Sequence, residues 1–530
     1  MTRNADYIIV GGGSSGAVIA AQLVTKMGAK VLVLETGPRR APWLLDVPAG
    51  YMKFLASDRY LEFYESVPQP QLGGRSLIVP QGRILGGGSA VNAMVYMRGQ
   101  AEDYASWAKA ADSDDWSYES MLPHFKAVEG NAELGAPLHG TDGPLKVSHL
   151  GHHCDVSGAF IKACNAAGIP RNDDFNGQTQ SGVGYMQHTI DADRRKRSST
   201  ATAFLKPIAK NPNLTVVTEA TVRKLLVEKG RITGVVYHEN GQEQTATAGA
   251  EVIVCAGAFA TAALLMRSGI GPADHLRDCG IDVVLDQPAI GENLQDHCEV
   301  PLVAGLKKGY GYFGQDRGLA MIRNGLQYLW NKSGLATTTG VEACAFVDSD
   351  ESGRPDLQIY CVPTVYLDRT VTGANPTWGV TLTTCLLRPK SRGSVRLNPA
   401  NPDGPLRFDP GFLSDRDDLD RMVNGLDIGR NLLRQVPLAD LVTHEIFPEA
   451  GQENREQVEH HVRQTVKTNY HPVGTVALGT AVDTRLRLIG LDGVRVADAS
   501  VMPTIPSGNT NAPTIALAHK AAEMIIDDAS

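Results

Sequence analysis

The chain has little that would serve disulfide bonding, metal binding or membrane crossing. Its eight cysteines, at positions 154, 164, 255, 279, 298, 344, 361 and 385, are scattered and form no C-x-x-C pair. That fits reduced, mostly buried thiols in a reducing compartment better than a disulfide framework or a zinc site. The adjacent pairs His152–His153 and His460–His461 lack ligand spacing, since neighbouring side chains diverge on any regular element, so no metal is expected. No stretch approaches the roughly 18 uninterrupted apolar residues of a membrane span. The first apolar run starts so near Met1 that no signal or transit segment is expected, and the compartment expected is the cytoplasm. Fifty Lys and Arg stand against 58 Asp and Glu, a net charge of −8 without a dense basic block. This argues against nucleic acid or an anionic membrane as partner. The one basic cluster, Arg194, Arg195, Lys196 and Arg197, reads as a solvated turn.

What is present begins at once. Residues 6–35 read D-Y-I-I-V-G-G-G-S-S-G-A-V-I-A-A-Q-L-V-T-K-M-G-A-K-V-L-V-L-E. An apolar run (Tyr7 to Val10) leads into the G-x-G-x-x-G positions Gly11, Gly13 and Gly16, then a helical pattern, then a second apolar run closing on Glu35, 24 residues after Gly11. This is the pattern of a βαβ unit that binds an adenine dinucleotide. Gly11 permits the tight turn, Gly13 lets the backbone approach a pyrophosphate, and Gly16 lets helix and strand pack closely. The helix N-terminus offers free N–H groups and partial positive charge, and Glu35 can accept from a ribose diol while repelling a 2′-phosphate.

Three further blocks follow. They are P-Q-G-R-I-L-G-G-G-S-A-V-N-A-M-V-Y-M-R-G (Pro80 to Gly99), a strand-like E-V-I-V-C-A-G-A (Glu251 to Ala258) with I-G-E-N-L-Q-D-H (Ile290 to His297) beyond it, and the C-terminal V-R-V-A-D-A-S-V-M-P-T-I-P-S-G-N-T-N-A-P-T. No second G-x-G-x-x-G unit is seen, which argues against an enzyme that passes electrons from NAD(P)H to a flavin. With L-L-R-P-K-S-R-G-S-V-R-L (Leu386 to Leu397), these blocks make the chain resemble, nearly end to end, the glucose–methanol–choline oxidoreductases, in particular their bacterial alcohol dehydrogenase branch. The resemblance implies an α/β fold: a p-hydroxybenzoate hydroxylase-like FAD domain from residues 1–150, 201–300 and 462–530, and a substrate domain on an antiparallel sheet from 151–200 and 301–461. The polar stretches Gly314 to Arg317 and Gly373 to Pro376 are expected to be loops of the latter.

The resemblance also implies site residues. For FAD these are Gly11, Gly13, Ser15, Gly16 and Glu35 at the ADP half, with Arg83, Gly87 and Asn92 from the second block, Val222 at the adenine, Asp498 and Ala499 near ribitol and pyrophosphate, and Tyr470, Asn511 and Ala512 about the flavin. Some relatives attach FAD through a histidine just before the position of Asn92. Here that residue is Val91, which has no nucleophile, so non-covalent FAD is expected. His471, in N-Y-H-P-V-G-T, matches the family's catalytic histidine, and a histidine pKa suits a general base near neutrality. Asn509 is expected to hold the substrate oxygen, while Asn511, two residues before Pro513, reads as a helix N-cap.

The activity implied is oxidation of a primary alcohol (sugar alcohol, aromatic or aliphatic) to the aldehyde, with hydride passing to flavin N5. The electron acceptor, a quinone, an artificial dye or oxygen, stays open. Alternatives are a choline dehydrogenase, an oxygen-using oxidase of the same family, or a non-redox FAD lyase or decarboxylase. A choline pocket would need a carboxylate and an aromatic cage, for which Glu342, Tyr360 and Tyr366 are candidates.

Overall fold

The computed structural model describes residues 2–367, 375–448, 451 and 454–530. Gly373 and Ala374, of the expected loop Gly373 to Pro376, fall outside them.

The first sheet is built around the N-terminal motif. Strand Thr2–Val10 lies parallel between Val31–Glu35 and the long strand Gln242–Val254, and Leu214–Thr218 adds to the outer side of Val31–Glu35. The end of Gln242–Val254 also pairs in parallel with Val494–Val496, while its start runs antiparallel to Arg231–Glu239, which pairs with Ala220–Glu228. Strand Val31–Glu35 is buried along its whole length, as a sheet covered on both faces requires. Helix Ser14–Gln22, nearly all buried, and the C-terminal helix Asn511–Ala529 pack together beside this sheet. The acceptor end of the βαβ unit and the last helix are thereby brought into contact.

The second sheet is antiparallel throughout, in the order Val442–Phe447, Cys298–Leu306, Gly379–Leu386, Leu357–Val362, Ala343–Val347, Gly182–Tyr185, with Lys467–Thr468 pairing beside the start of Cys298–Leu306. Side chains alternate across it. Leu302, Ile359 and Leu382 pack under helices Asp155–Ala166 and Arg416–Leu433. On the opposite face Cys344, Phe346, Tyr360 and Cys385 pack with Met97, Phe175 and Met186. That second face roofs the region where the last helix begins, since Tyr360 donates to Asn509 Oδ1 at 3.3 Å.

The basic cluster does not behave as a solvated turn. Arg197 is buried, donating from Nε to the Leu45 carbonyl (3.1 Å) and from Nη1 to the Ser89 carbonyl (3.1 Å) and Asn92 Oδ1 (2.9 Å). Arg194 stays exposed in the turn, whereas Lys196 and Arg197 form a short strand on which adjacent side chains face opposite ways, and Arg197 takes the inner side.

Candidate active site

Two glycine loops touch at the head of the first sheet. Gly11 has φ +98°, and a Cβ on Gly16 would lie 2.0 Å from the Gly11 carbonyl oxygen, so the turn and the helix contact both require glycine. The second loop is tied to the first by Gly86 N–H donating to the Gly12 carbonyl (2.7 Å), and Ser89 and Thr200 bridge the two through Gly13. Glu35 accepts from Gly12 N–H (2.8 Å) and Gly37 N–H (2.7 Å), and its burial, only partly offset by these bonds, raises its pKa to about 7. Glu219 N–H donates to the Gly37 carbonyl (3.0 Å), which sets the start of the Val222 strand beside the Glu35 turn. Arg83 pairs at the surface with Glu62 (3.2 Å).

On the far side of the loops, Asp498 fixes the Asp498–Val501 segment. Its carboxylate accepts from Gly257 N–H, Thr261 Oγ1 and Ser500 N–H. Ala499 follows within a short helical turn. The expectation for Asn511 needs correction. The residue before the helix is Thr510, Asn511 is its first helical residue, and no side chain caps this end. Thr510 has φ −80° and ψ −5°, which is not the extended conformation of an N-cap, so Asn511 is carried into the first turn. Its Oδ1 instead accepts from Ser14 Oγ at 2.9 Å, joining the N-termini of the first and last helices, with Ala512 buried behind.

His471 is held by a relay. Its backbone N–H donates to Asp296 Oδ1 (2.8 Å), while Thr468 donates its hydroxyl to Asp296 Oδ2 and accepts from Tyr470 N–H (2.7 Å), so one buried carboxylate pins the whole turn. Tyr470 takes φ +65° within it. Ring to ring, His471 Nδ1 meets His297 Nδ1 at 2.9 Å, and His297 Nε2 lies 3.0 Å from the Leu387 carbonyl. A carbonyl only accepts, so His297 Nε2 carries a proton. Burial lowers the His297 pKa to about 4, leaving its Nδ1 bare near neutral pH. His471 Nδ1 must then carry the shared proton, and burial, followed by the repulsion a second charged imidazole at His297 would add, lowers the His471 pKa well below the ordinary value. The lone pair of neutral His471 is therefore on Nε2, where Asn509 Nδ2 points at 3.3 Å. His471 and Asn509, 38 residues apart in the chain, lie within 3.3 Å of each other.

Sequence reasoning missed His297, Asp296 and Arg197. The first two lie in the I-G-E-N-L-Q-D-H block, whose residues carry no chemical signal by themselves, and no spacing announces that residues 174 apart share a proton. Glu342, a cage candidate, is spent elsewhere: fully buried, it accepts from Cys154 N–H, Ser157 Oγ and Thr338 Oγ1 (2.7 Å each) and from the Tyr312 hydroxyl.

Two family models of GMC oxidoreductases match the chain, over residues 5–299 and 389–518. The chain belongs to the GMC oxidoreductase family. It is 39% identical to an alcohol dehydrogenase [acceptor] of Pseudomonas putida, covering 98% of this chain and 95% of that one. It is 36% identical to the mitochondrial choline dehydrogenase of Homo sapiens, covering 98% and 89%. Among solved structures, pyridoxine 4-oxidase from Mesorbium loti superposes with a TM-score of 0.90 at 29% identity, with 99% of each chain covered. As a member of this family, the GMC chain is an FAD-dependent oxidoreductase acting on CH–OH donors.

The cradle suits the diphosphate of FAD. Neither helix Ser14–Gln22 nor the last helix has a side-chain cap at its N-terminus, and the two ends meet, so N–H groups and positive dipole ends converge. A Cβ on Gly13 would meet only Gly87 Cα, at 3.7 Å, leaving room at the loop crossing. Ser15 Oγ and Arg197 Nη2 are buried without a hydrogen-bond partner, as donors awaiting an anion would be. Gly11, Gly13, Ser15, Gly16, Gly87 and Asn92 could hold it, with Arg197 bonded to Asn92.

The asparagines should separate by function. Asn509→Ala removes the amide donor beside His471 Nε2 and, if that donor meets the substrate oxygen as expected, should slow flavin reduction by an amount equal to about 2–4 kcal/mol, with little change in melting temperature. Asn511→Ala loses one part-buried hydrogen bond to Ser14, about 1 kcal/mol of stability, with a milder rate effect. Stopped-flow reduction and thermal melting on both variants check this, and a reversed pattern would exchange the roles.

Proposed function

We propose that this GMC enzyme oxidises a neutral primary alcohol to its aldehyde, with non-covalent FAD, His471 as base and Asn509 as the donor to the substrate oxygen. The observation that supports this most is the ordered relay from the Leu387 carbonyl through His297 to His471, which leaves the lone pair of Nε2 facing Asn509. FAD, when bound, supplies the hydride acceptor. An alcohol oxygen entering between the two side chains is offered an acceptor for its proton and an amide donor for the charge that develops as the proton leaves. Burial strengthens both interactions, because little water competes. We assign the substrate domain to residues 151–200 and 301–461 and the FAD domain to the rest. We place the protein in the cytoplasm, since all eight thiols are free and buried.

Neutral alcohols are favoured over choline by one buried cluster. Lys467 Nζ pairs with Glu299 and lies 4.7 Å from the centre of the Tyr366 ring and 5.3 Å from that of Tyr470. A carboxylate flanked by aromatic faces is what a quaternary ammonium would need, and here the chain's own ammonium fills it. The test is anaerobic bleaching of the visible flavin band by a panel of alcohols. Neutral primary alcohols should bleach it, and choline at the same concentrations should not. Bleaching by choline alone would overturn the substrate class, and bleaching by none would overturn the alcohol reading.

Because Val91 has no nucleophile, acid precipitation should release all the FAD into the supernatant. Yellow colour left on the pellet would disprove non-covalent binding.

A further inference from the structure

Helix Gly318–Asn331 is amphipathic in the reverse of the usual sense. Leu319, Ile322, Leu326, Leu329 and Trp330, at spacings of three, four, three and one, form a single apolar stripe. That stripe faces outward: Leu319 is 85% exposed and Trp330 77%. The buried side chains on the other side are Asn324 and Tyr328, with Asn324 donating to the Gln315 carbonyl and Tyr328 to the Arg195 carbonyl. The helix is thus anchored by polar contacts and shows its apolar side to water, which costs free energy unless something covers it. The surface continues onto residues 43–55, where Trp43 (61% exposed) and Met52 are also uncovered, and the ion pair between Lys53 and Asp316 (3.2 Å) joins the two segments.

Charge identifies what covers it. In the helix and at its two ends lie Arg317, Arg323 and Lys332, against Asp316, which is already paired with Lys53, in a chain whose net charge is −8. A two-fold pairing of this patch with itself would set these cations against their own copies. An anionic surface would attract them. Two of the chain's five tryptophans, Trp43 and Trp330, are among its exposed large apolar side chains, and amphipathic rings of this kind favour a membrane–water boundary. No helix among the described residues is long and apolar enough to cross a membrane, so attachment would be to the surface.

We propose that this face docks the enzyme on the surface of an anionic lipid bilayer, with Leu319, Ile322, Leu326 and Trp330 entering the interfacial layer and Arg317, Arg323 and Lys332 meeting lipid phosphates. This revises the expectation, drawn from overall charge, that an anionic membrane is no partner. Net charge averages over the whole surface, whereas this helix and its ends carry three cations beside an exposed apolar stripe. The inference does not depend on the alcohol assignment.

Vesicle flotation with the FAD-loaded full chain tests it. The enzyme should float with vesicles of mixed phosphatidylglycerol and phosphatidylcholine, bind pure phosphatidylcholine vesicles more weakly, and be partly released by salt. The triple variant Leu319→Gln, Ile322→Gln, Trp330→Gln should lose roughly tenfold or more in partitioning, while reducing a soluble dye at the wild-type rate. Arg317→Glu with Arg323→Glu should abolish the preference for anionic vesicles. Two results would overturn the proposal. One is wild-type enzyme that floats with neither vesicle type. The other is a dimer in light scattering that the triple variant converts to monomer, which would make this face a contact between copies.

Discussion

His471→Ala is expected to keep its FAD yet reduce it at least 10²-fold more slowly at saturating alcohol, roughly the contribution of a general base. The side chain is held from three directions: Asp296 at its backbone, His297 at Nδ1 and Asn509 at Nε2. Removing it takes away the one acceptor that the relay orients toward Asn509, whereas the cofactor cradle lies on other elements. Anaerobic stopped-flow reduction, with the flavin spectrum as control for loading, measures it. The pH profile carries the same information. Only neutral His471 can accept a proton, and burial lowers its pKa, so the acid limb of the wild-type reduction rate should fall below the ordinary histidine value of about 6.5. An unchanged rate in the variant, or an acid limb well above that value, would place the base elsewhere.

The largest stability effect is expected from Glu129→Gln. Arg98 and Glu129 have fully buried side chains and pair directly. Arg98 Nη1 donates to the Leu138 carbonyl (2.8 Å), its backbone N–H donates to Asn176 Oδ1 (2.8 Å), and His139 bridges Glu129 (2.9 Å) and Asp174 (3.0 Å). The cluster fixes the chain as it leaves the second glycine loop. Taking one charge from such a pair leaves the other in a low-dielectric interior, at a cost of about 3–5 kcal/mol. The exposed pair Lys53–Asp316 should give less than about 1 kcal/mol in the same denaturation experiment. A Glu129→Gln loss no larger than that would refute the role. The cluster also predicts a pH dependence. Burial alone would lower the His139 pKa, but the hydrogen bonds to Asp174 and Glu129 outweigh it and raise the pKa to about 9. A raised pKa stabilises the fold fully below the unfolded value, about 6.5, and the contribution disappears as pH rises through 9. The amount is roughly 3 kcal/mol. Melting temperature should fall over that window, and His139→Gln should flatten the fall.

The βαβ unit was legible from Tyr7 to Glu35 because its signals are local. A strand, a glycine turn, a helix and an acid follow one another within about one supersecondary unit, and each residue type has its own steric reason. The histidine and the first asparagine of N-T-N are expectations of the family pattern alone, and the fold brings the two side chains to 3.3 Å. Val91 likewise gave the expectation of a non-covalent flavin by simple lack of a nucleophile. Other features depended on distance in the chain. The tautomer of His471 is set by a carbonyl 84 residues before it, through a histidine 174 residues before it, and a proton shared across that separation leaves no periodicity to read. Asn511 reads as a cap from its spacing to Pro513, but the helix starts one residue earlier than that reading requires, and its side chain bonds to Ser14. Lys467 and Glu299 are ordinary surface-type residues by composition, yet strand pairing buries both between two tyrosines. Helix Gly318–Asn331 shows the limit most clearly. Its sequence specifies an apolar stripe, but only packing decides which side turns inward, and here the polar contacts of Asn324 and Tyr328 take the protein side and leave the stripe to its surroundings.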